Sequence, residues 1–234
     1  MSLFESDYAV GKTYGQSSQF ASITIAWGSD SLDFLGFSTE DVAQFSKAIS
    51  LSWTKGIQKE QHQAGYIRVK LCGHPWDSGT SSNSNLVNSR KMMCALLAAL
   101  FDRNWVLHLS FSNKGNEDSK DTLMFRSQPT NGNRHWFAIH FLKDDTFCII
   151  NATPGFGDAV VSKLGSLVQK QSHDPDALIL KLFGWPFSSR ESARNSMVEI
   201  LLMETITSQS CEVHASMNMM TSEYPRDTWI CCTT

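Results

Sequence analysis

Charge is scarce in this chain of 234 residues: Lys and Arg together number 20, Asp and Glu 23, and the formal net charge is −3. The basic residues are scattered. A nucleic acid or an anionic membrane surface needs them gathered on one face, so neither is an expected partner. Long apolar runs are missing too, none approaching the roughly 20 residues of a membrane span. The polar opening MSLFESDYAVGKTYGQSSQ has no apolar stretch of the kind a secretory signal carries. Six cysteines, at 72, 94, 148, 211, 231 and 232, form no C-x-x-C pair, which argues against a zinc site or a disulfide framework. Five of them lie in apolar patterns, where cysteine behaves as a small hydrophobe. A reduced, cytosolic protein with no cofactor and no metal is the expectation. Gly11-Lys12-Thr13 has the ending of a phosphate-binding loop, but the earlier glycine would fall at Ser6. Cys231-Cys232-Thr233-Thr234 lacks the aliphatic residues of a prenylation signal.

What the chain has is a repeat. Trp105 to Arg126 (WVLHLSFSNKGNEDSKDTLMFR) returns as Cys211 to Cys232 (CEVHASMNMMTSEYPRDTWICC) at an offset of 106. His108 matches His214, Ser110 matches Ser216, Asp121 matches Asp227 and Thr122 matches Thr228. Upstream, YIRVKLC (Tyr66 to Cys72) matches ALILKLF, and GHPW matches GWPF, at offset 111; the Leu-rich helices align at offset 104, pairing Arg90 with Arg194.

Alternation predicts strands at Ala21 to Trp27, Leu32 to Phe37, Tyr66 to Cys72 and Trp105 to Phe111. Ser38 caps a helix with Glu40 and Asp41 in its first turn, burying Val42, Phe45 and Ile49. Leu86 to Phe101 reads as a helix buried on most of its circumference, since Met92 to Phe101 has no charge. The order recurs after residue 135, with strands at Trp136 to Leu142, Thr146 to Asn151 and Ala177 to Phe183. There Thr153-Pro154 caps a helix reaching about Val168. The fold class expected is α+β with an internal duplication, each half ββαβαββ, an antiparallel sheet with helices on one face. Residues 1–19 form a tail, 20–126 the first lobe, 127–135 a linker and 136–234 the second lobe. The lobes are expected to pack about a pseudo-twofold axis.

Period two places Trp105, Leu107, Leu109 and Phe111 on one strand face and His108 and Ser110 on the other. His214 and Ser216 follow in the second copy. A hydrophobic-x-His-x-Ser strand on each of two duplicated lobes resembles the two-histidine phosphoesterase superfamily. The resemblance implies a cleft in which His108 and His214 act as acid and base on a cyclic phosphate or phosphodiester, with Ser110 and Ser216 holding its oxygens. A longer resemblance runs through Lys55 to Gln58 (KGIQ), GHPW, an Arg-led Leu-rich helix, a Trp-initiated strand and DTLMFR. This string resembles an uncharacterised eukaryotic family that repeats GxPW…R…LL…GW…DT…FR. It implies no activity.

Arg68, Lys70 and Lys181 sit on outer strand faces and are candidates for an anion site. Arg90 with Asp121, and Arg194 with Asp227, are candidate structural pairs between helix and terminal strand. Gly155-Phe156-Gly157 suits a helix cap. Trp76 and Trp185 stand at the paired Gly-x-Pro turns as core lids or partner anchors. The Ser-rich loop Asp77 to Asn85 and the charged loop Ser112 to Lys120 are the surfaces expected to vary. With no nucleophile elbow, metal spacing or dinucleotide fingerprint, the sequence points to a non-enzymatic binding or scaffold protein. Its partner would be an unknown protein or small molecule. The phosphoesterase is the alternative.

Overall fold

The computed structural model describes residues 19–76, 83–112, 121–188, 190–219 and 227–234. The first half runs β1 (Phe20–Ala26), β2 (Ser31–Leu35), α1 (Thr39–Ser52), β3 (Ile57–His62), β4 (Tyr66–Leu71), α2 (Asn83–Asp102), β5 (Trp105–Ser112) and β6 (Asp121–Ser127). The second runs β7 (Trp136–Lys143), β8 (Thr146–Ile150), α3 (Phe156–Leu164), β9 (Val168–Asp174), β10 (Ala177–Leu182), α4 (Ser192–Ser208), β11 (Cys211–Asn218) and β12 (Asp227–Thr233). Each half is an antiparallel six-stranded sheet with two helices. The strand orders, β3-β4-β2-β1-β6-β5 and β9-β10-β8-β7-β12-β11, are the same.

Each half is therefore ββαββαββ, one strand longer than ββαβαββ. The additional strands, β3 (IQKEQH) and β9 (VQKQSHD), are almost wholly exposed. Lying at a sheet edge, they are held by the backbone ladder to β4 and β10 and need no apolar alternation, so the sequence pattern does not reveal them. The helix α3 also differs from expectation. It begins after a left-handed Gly155, and Val168 already belongs to β9.

The helix α1 forms as its sequence requires. Ser38 Oγ accepts the Asp41 N–H at 3.0 Å, and Val42, Phe45 and Ile49 are buried. The helices α2 and α4 end alike, on left-handed Asn104 and Ser210. Met92, Leu96 and Leu100 of α2 are buried facing their own sheet, and Val198, Leu202 and Ile206 of α4 are their counterparts. The helices are thus related by the offset of 106, not 104. Arg90 corresponds to Ser196, Cys94 to Ile200 and Leu97 to Met203.

The halves do not pack about a twofold axis. They stack. The first sheet is covered on one face by α1 and α2. The opposite side of α2 then lies on the second sheet, whose far face carries α3 and α4. Phe101 of α2 meets Trp136 edge-on at 5.9 Å, and Lys91 reaches Asp176 across the halves at 3.0 Å. Ala138, Cys148, Ile150, Ala177, Ala215, Met217, Ile230 and Cys232 line the face under α2 and share one core with it. Phe137, Ile139, Phe147, Leu180 and Cys231 form a second core with α3 and α4. This is why β7 is buried nearly end to end. A sheet wrapped on both faces reads as a continuous apolar run.

Among the described residues, no helix covers the outer face of the first sheet. In β1, Ala21, Ile23 and Ile25 are buried while Ser22 and Thr24 are half-exposed. Register identifies the counterparts. Thr24 faces Thr122 as His140 faces Thr228. The first pair shares a 3.2 Å hydroxyl contact near solvent, the second a buried 2.9 Å bond between His140 Nδ1 and the Thr228 hydroxyl.

Candidate functional site

Two places combine open space with chemistry. The first is a groove of about 800 Å³ running the length of α4, lined by Ser196, Glu199, Ile200, Met203, Thr207 and Trp229 among others. The helical residues recur every three or four positions, so they form one stripe. Ile200 and Met203, with neighbouring Met197, are among the most exposed large apolar side chains of the described residues. Glu204, on the rim, pairs with Lys163 of α3 at 2.7 Å.

The second is a crevice of about 250 Å³ where the halves join. Phe101, Val106, residues 128–131, Arg134, Glu212 and His214 line it. Arg134 pairs with Glu212, donates to Cys232 Sγ at 3.3 Å and lies 4.5 Å over the Phe101 ring. His214 is edge-on to Trp136 at 4.7 Å, and burial lowers its pKa to about 4, so its imidazole is neutral at physiological pH. Burial likewise raises the Cys232 thiol to about 11. Glu212, His214 and Cys232 bring ligand-type atoms within 4.8 Å of one another. In donor type the trio suits a transition metal, yet Arg134 already binds two of its three members.

With this geometry in hand, the comparisons decide the family. The model of an uncharacterised domain family matches the chain twice, over residues 19–126 and 135–232. The chain belongs to that family. No curated protein and no solved structure matches it.

Viewed as two family copies, the repeated histidines occupy equivalent places. The ladders slip between Leu107 and Leu109 and between Val213 and Ala215, so His108 and His214 are each the extra residue of a β-bulge. Each rests edge-on against the aromatic at the start of its sheet's first strand, His108 on Phe20 at 5.5 Å and His214 on Trp136. His214 lines the crevice and His108 does not. Ser110 donates to the Ser216 carbonyl at 3.1 Å where the edge strands meet, and the Ser216 hydroxyl bonds Asp227. The family match covers both halves, and it lends the two-histidine resemblance no support. The bulge also overturns the strict alternation expected of the first strand. Beyond it Leu109 and Phe111 turn to the outer face and are exposed.

The remaining candidates separate. Arg68 is held by Asp33 through bonds of 2.7 and 2.6 Å, and Lys181 lies 3.5 Å from Asp145. Arg68 and Lys70 are on the first sheet and Lys181 on the second, so the three do not form one anion site. Neither proposed Arg–Asp pair exists. Asp121 accepts the Asn218 N–H at 2.6 Å, and Asp227 accepts from Ser216. Arg90, fully buried between α2 and the second sheet, donates to Ser89 Oγ at 2.9 Å while its Nε and Nη2 have no partner. Arg194 instead closes on Gly184. Trp76 is buried, with Phe187 in the equivalent place, while Trp185 is 66% exposed. Residues 77–82 and 113–120 of the two variable loops lie outside the described residues.

Sequence reading missed the α4 stripe because the helices were aligned at 104. That register sets Met197 against buried Met93 and Leu201 against buried Leu97. A signal was present: with Asn104 and Ser210 aligned as helix ends, Ile200 and Met203 fall on the counterparts of Cys94 and Leu97.

Proposed function

We propose that the protein is a non-enzymatic binding or scaffold protein working inside the cell, and that it takes a protein partner along α4. One observation carries this reading. The stripe Ser196, Ile200, Met203 and Thr207 is the counterpart of Arg90, Cys94, Leu97 and Phe101, the side of α2 that seats a whole sheet. The same surface of the same helix is used in the first copy and, among the described residues, left exposed in the second. Large exposed apolar patches on a soluble chain commonly mark sites of association. Six free thiols, five of them buried, support a reducing compartment. No helix among the described residues is long and apolar enough to cross a membrane.

A photo-crosslinking residue at position 200 tests the reading in cells, with position 51 as control, because Leu51 is 81% exposed but lies at the end of α1. Discrete protein adducts at 200 and none at 51 are expected. Equal labelling at both positions, or none at 200, overturns it.

A further inference from the structure

The helix junction of this chain is heterologous: the back of α2 covers the sheet of the next copy, and among the described residues α4 does not pack on the first sheet in return, although the edge strands β5 and β11 meet at equivalent positions. An arrangement of that kind leaves one unmatched surface at each end. At one end is the α4 stripe. At the other is the outer face of the first sheet, the counterpart of the face that α2 covers in the second.

Seven of the ten large apolar side chains exposed among the described residues fall on these two surfaces; Leu51, Phe183 and Trp185 do not. Phe20, Leu35, Leu109 and Phe111 stand on the outer face of the first sheet, and Met197, Ile200 and Met203 on α4. Each is between 39% and 57% exposed. By strand register the four on the sheet correspond to Trp136, Ile150, Ala215 and Met217, all buried under α2. The polar residues also match. Arg126 and Lys70 lie on the sheet face with no ion pair among the described residues, while Glu199 and Glu204 flank the helix stripe.

We infer that the chain associates with a second copy of itself head to tail, the α4 stripe of one copy seating the outer face of the first sheet of the next. The inference rests on the binding reading above and names its partner. Carrying the internal junction forward sets the contacts. Phe101 on Trp136 becomes Thr207 on Phe20. Cys94 beside Cys232 becomes Ile200 beside the Arg126 stem, and Arg90 beside Cys148 becomes Ser196 beside Asp33. Thr24 and Thr122 then lie beneath the helix, as His140 and Thr228 do within the chain.

Sedimentation velocity on the full chain, from about 1 to about 100 μM, reads the outcome directly. Wild type is expected to gain mass with concentration. Ile200→Glu with Met203→Glu blocks one end, and Leu109→Lys with Phe111→Lys blocks the other. All four positions are exposed, and circular dichroism verifies that each variant folds. Each variant alone should weaken association at least about tenfold. Mixed, the two should form a one-to-one dimer that grows no further, because each keeps one intact end. A twofold-symmetric dimer would not behave in this way. A wild type that stays monomeric, or association that survives either blocked end, overturns the inference. If position 200 still crosslinks to a different protein, the binding reading stands without it.

Discussion

Replacing Arg90 with methionine should stabilise this protein. The guanidinium lies in the junction between α2 and the second sheet, 1% exposed, with a single 2.9 Å bond to Ser89 and two nitrogens unpartnered. Burial lowers its pKa to about 10, and the only partial offset comes from the neighbouring Cys148. A depression of that size corresponds to a cost of about 3 kcal/mol for keeping the cation inside at neutral pH. Methionine fills a similar volume with no charge to desolvate, so a gain of about 1–3 kcal/mol is expected, worth roughly 2–4 °C of melting temperature per kcal/mol. The sign with pH follows from linkage. Above about 10 the folded chain releases a proton that the unfolded one still holds, so wild-type stability recovers as pH rises and the advantage of Arg90→Met shrinks. Thermal and urea unfolding of both proteins at pH 7 and above pH 10 provide the measurement. A variant less stable than wild type by 1 kcal/mol or more would refute the reasoning, since it would mean the guanidinium is well partnered. The Arg90/Asp121 double-mutant cycle should meanwhile show coupling below about 0.5 kcal/mol.

His214 should make the fold acid-sensitive. Its pKa is lowered by burial to about 4 from 6.5, so stability is lost as pH falls from about 6.5 toward 4. His214→Phe keeps an edge-on ring against Trp136 and should flatten urea midpoints across that window; an unchanged pH slope would remove the assignment. Gly36→Ala should cost at least about 2 kcal/mol in chemical denaturation. Its φ is +84°, and an added Cβ would come within 3.0 Å of the Phe20 carbonyl. Leu96→Ala should cost about 2–5 kcal/mol, because the side chain is fully buried between α2 and its own sheet. A loss under 1 kcal/mol by the same method would show that this core repacks freely.

The duplication was legible because His108 with Ser110, and Asp121 with Thr122, return at one spacing as His214, Ser216, Asp227 and Thr228. So was the α+β class. Ser38, Val42, Phe45 and Ile49 announce α1, and the uncharged run from Met92 announces a helix enclosed on most sides. Other features left weaker traces. The strands β3 and β9 are polar edges, defined by partners and not by their own pattern. The β-bulges at His108 and His214 reverse the facing of Leu109 and Phe111, and nothing in a two-residue period marks where it breaks. The stacking was written in β7, where WFAIHFLK is apolar on both faces, while β1 (FASITIA) alternates. That contrast distinguishes a sheet with two neighbours from a sheet with one. Reading it required setting the two strands side by side in register, which the offset of 106 alone does not supply.

Because α2 is a wall shared by two layers, the order in which the chain emerges during synthesis matters. The N-terminal half can complete its own sheet and close α1 and α2 over it before β7 exists. At that stage the back of α2, with Met93, Cys94, Leu97 and Phe101, is bare, and it stays bare until the second sheet arrives. Domains generally fold from the N-terminus as they are made, and exposed apolar surface is where such intermediates aggregate. Arg90 sits in that surface. While the half-made protein waits, its guanidinium is solvated and keeps the helix back polar at one point; only docking of the second sheet strips its water. The residue that burdens the finished fold would then be one that protects the unfinished one.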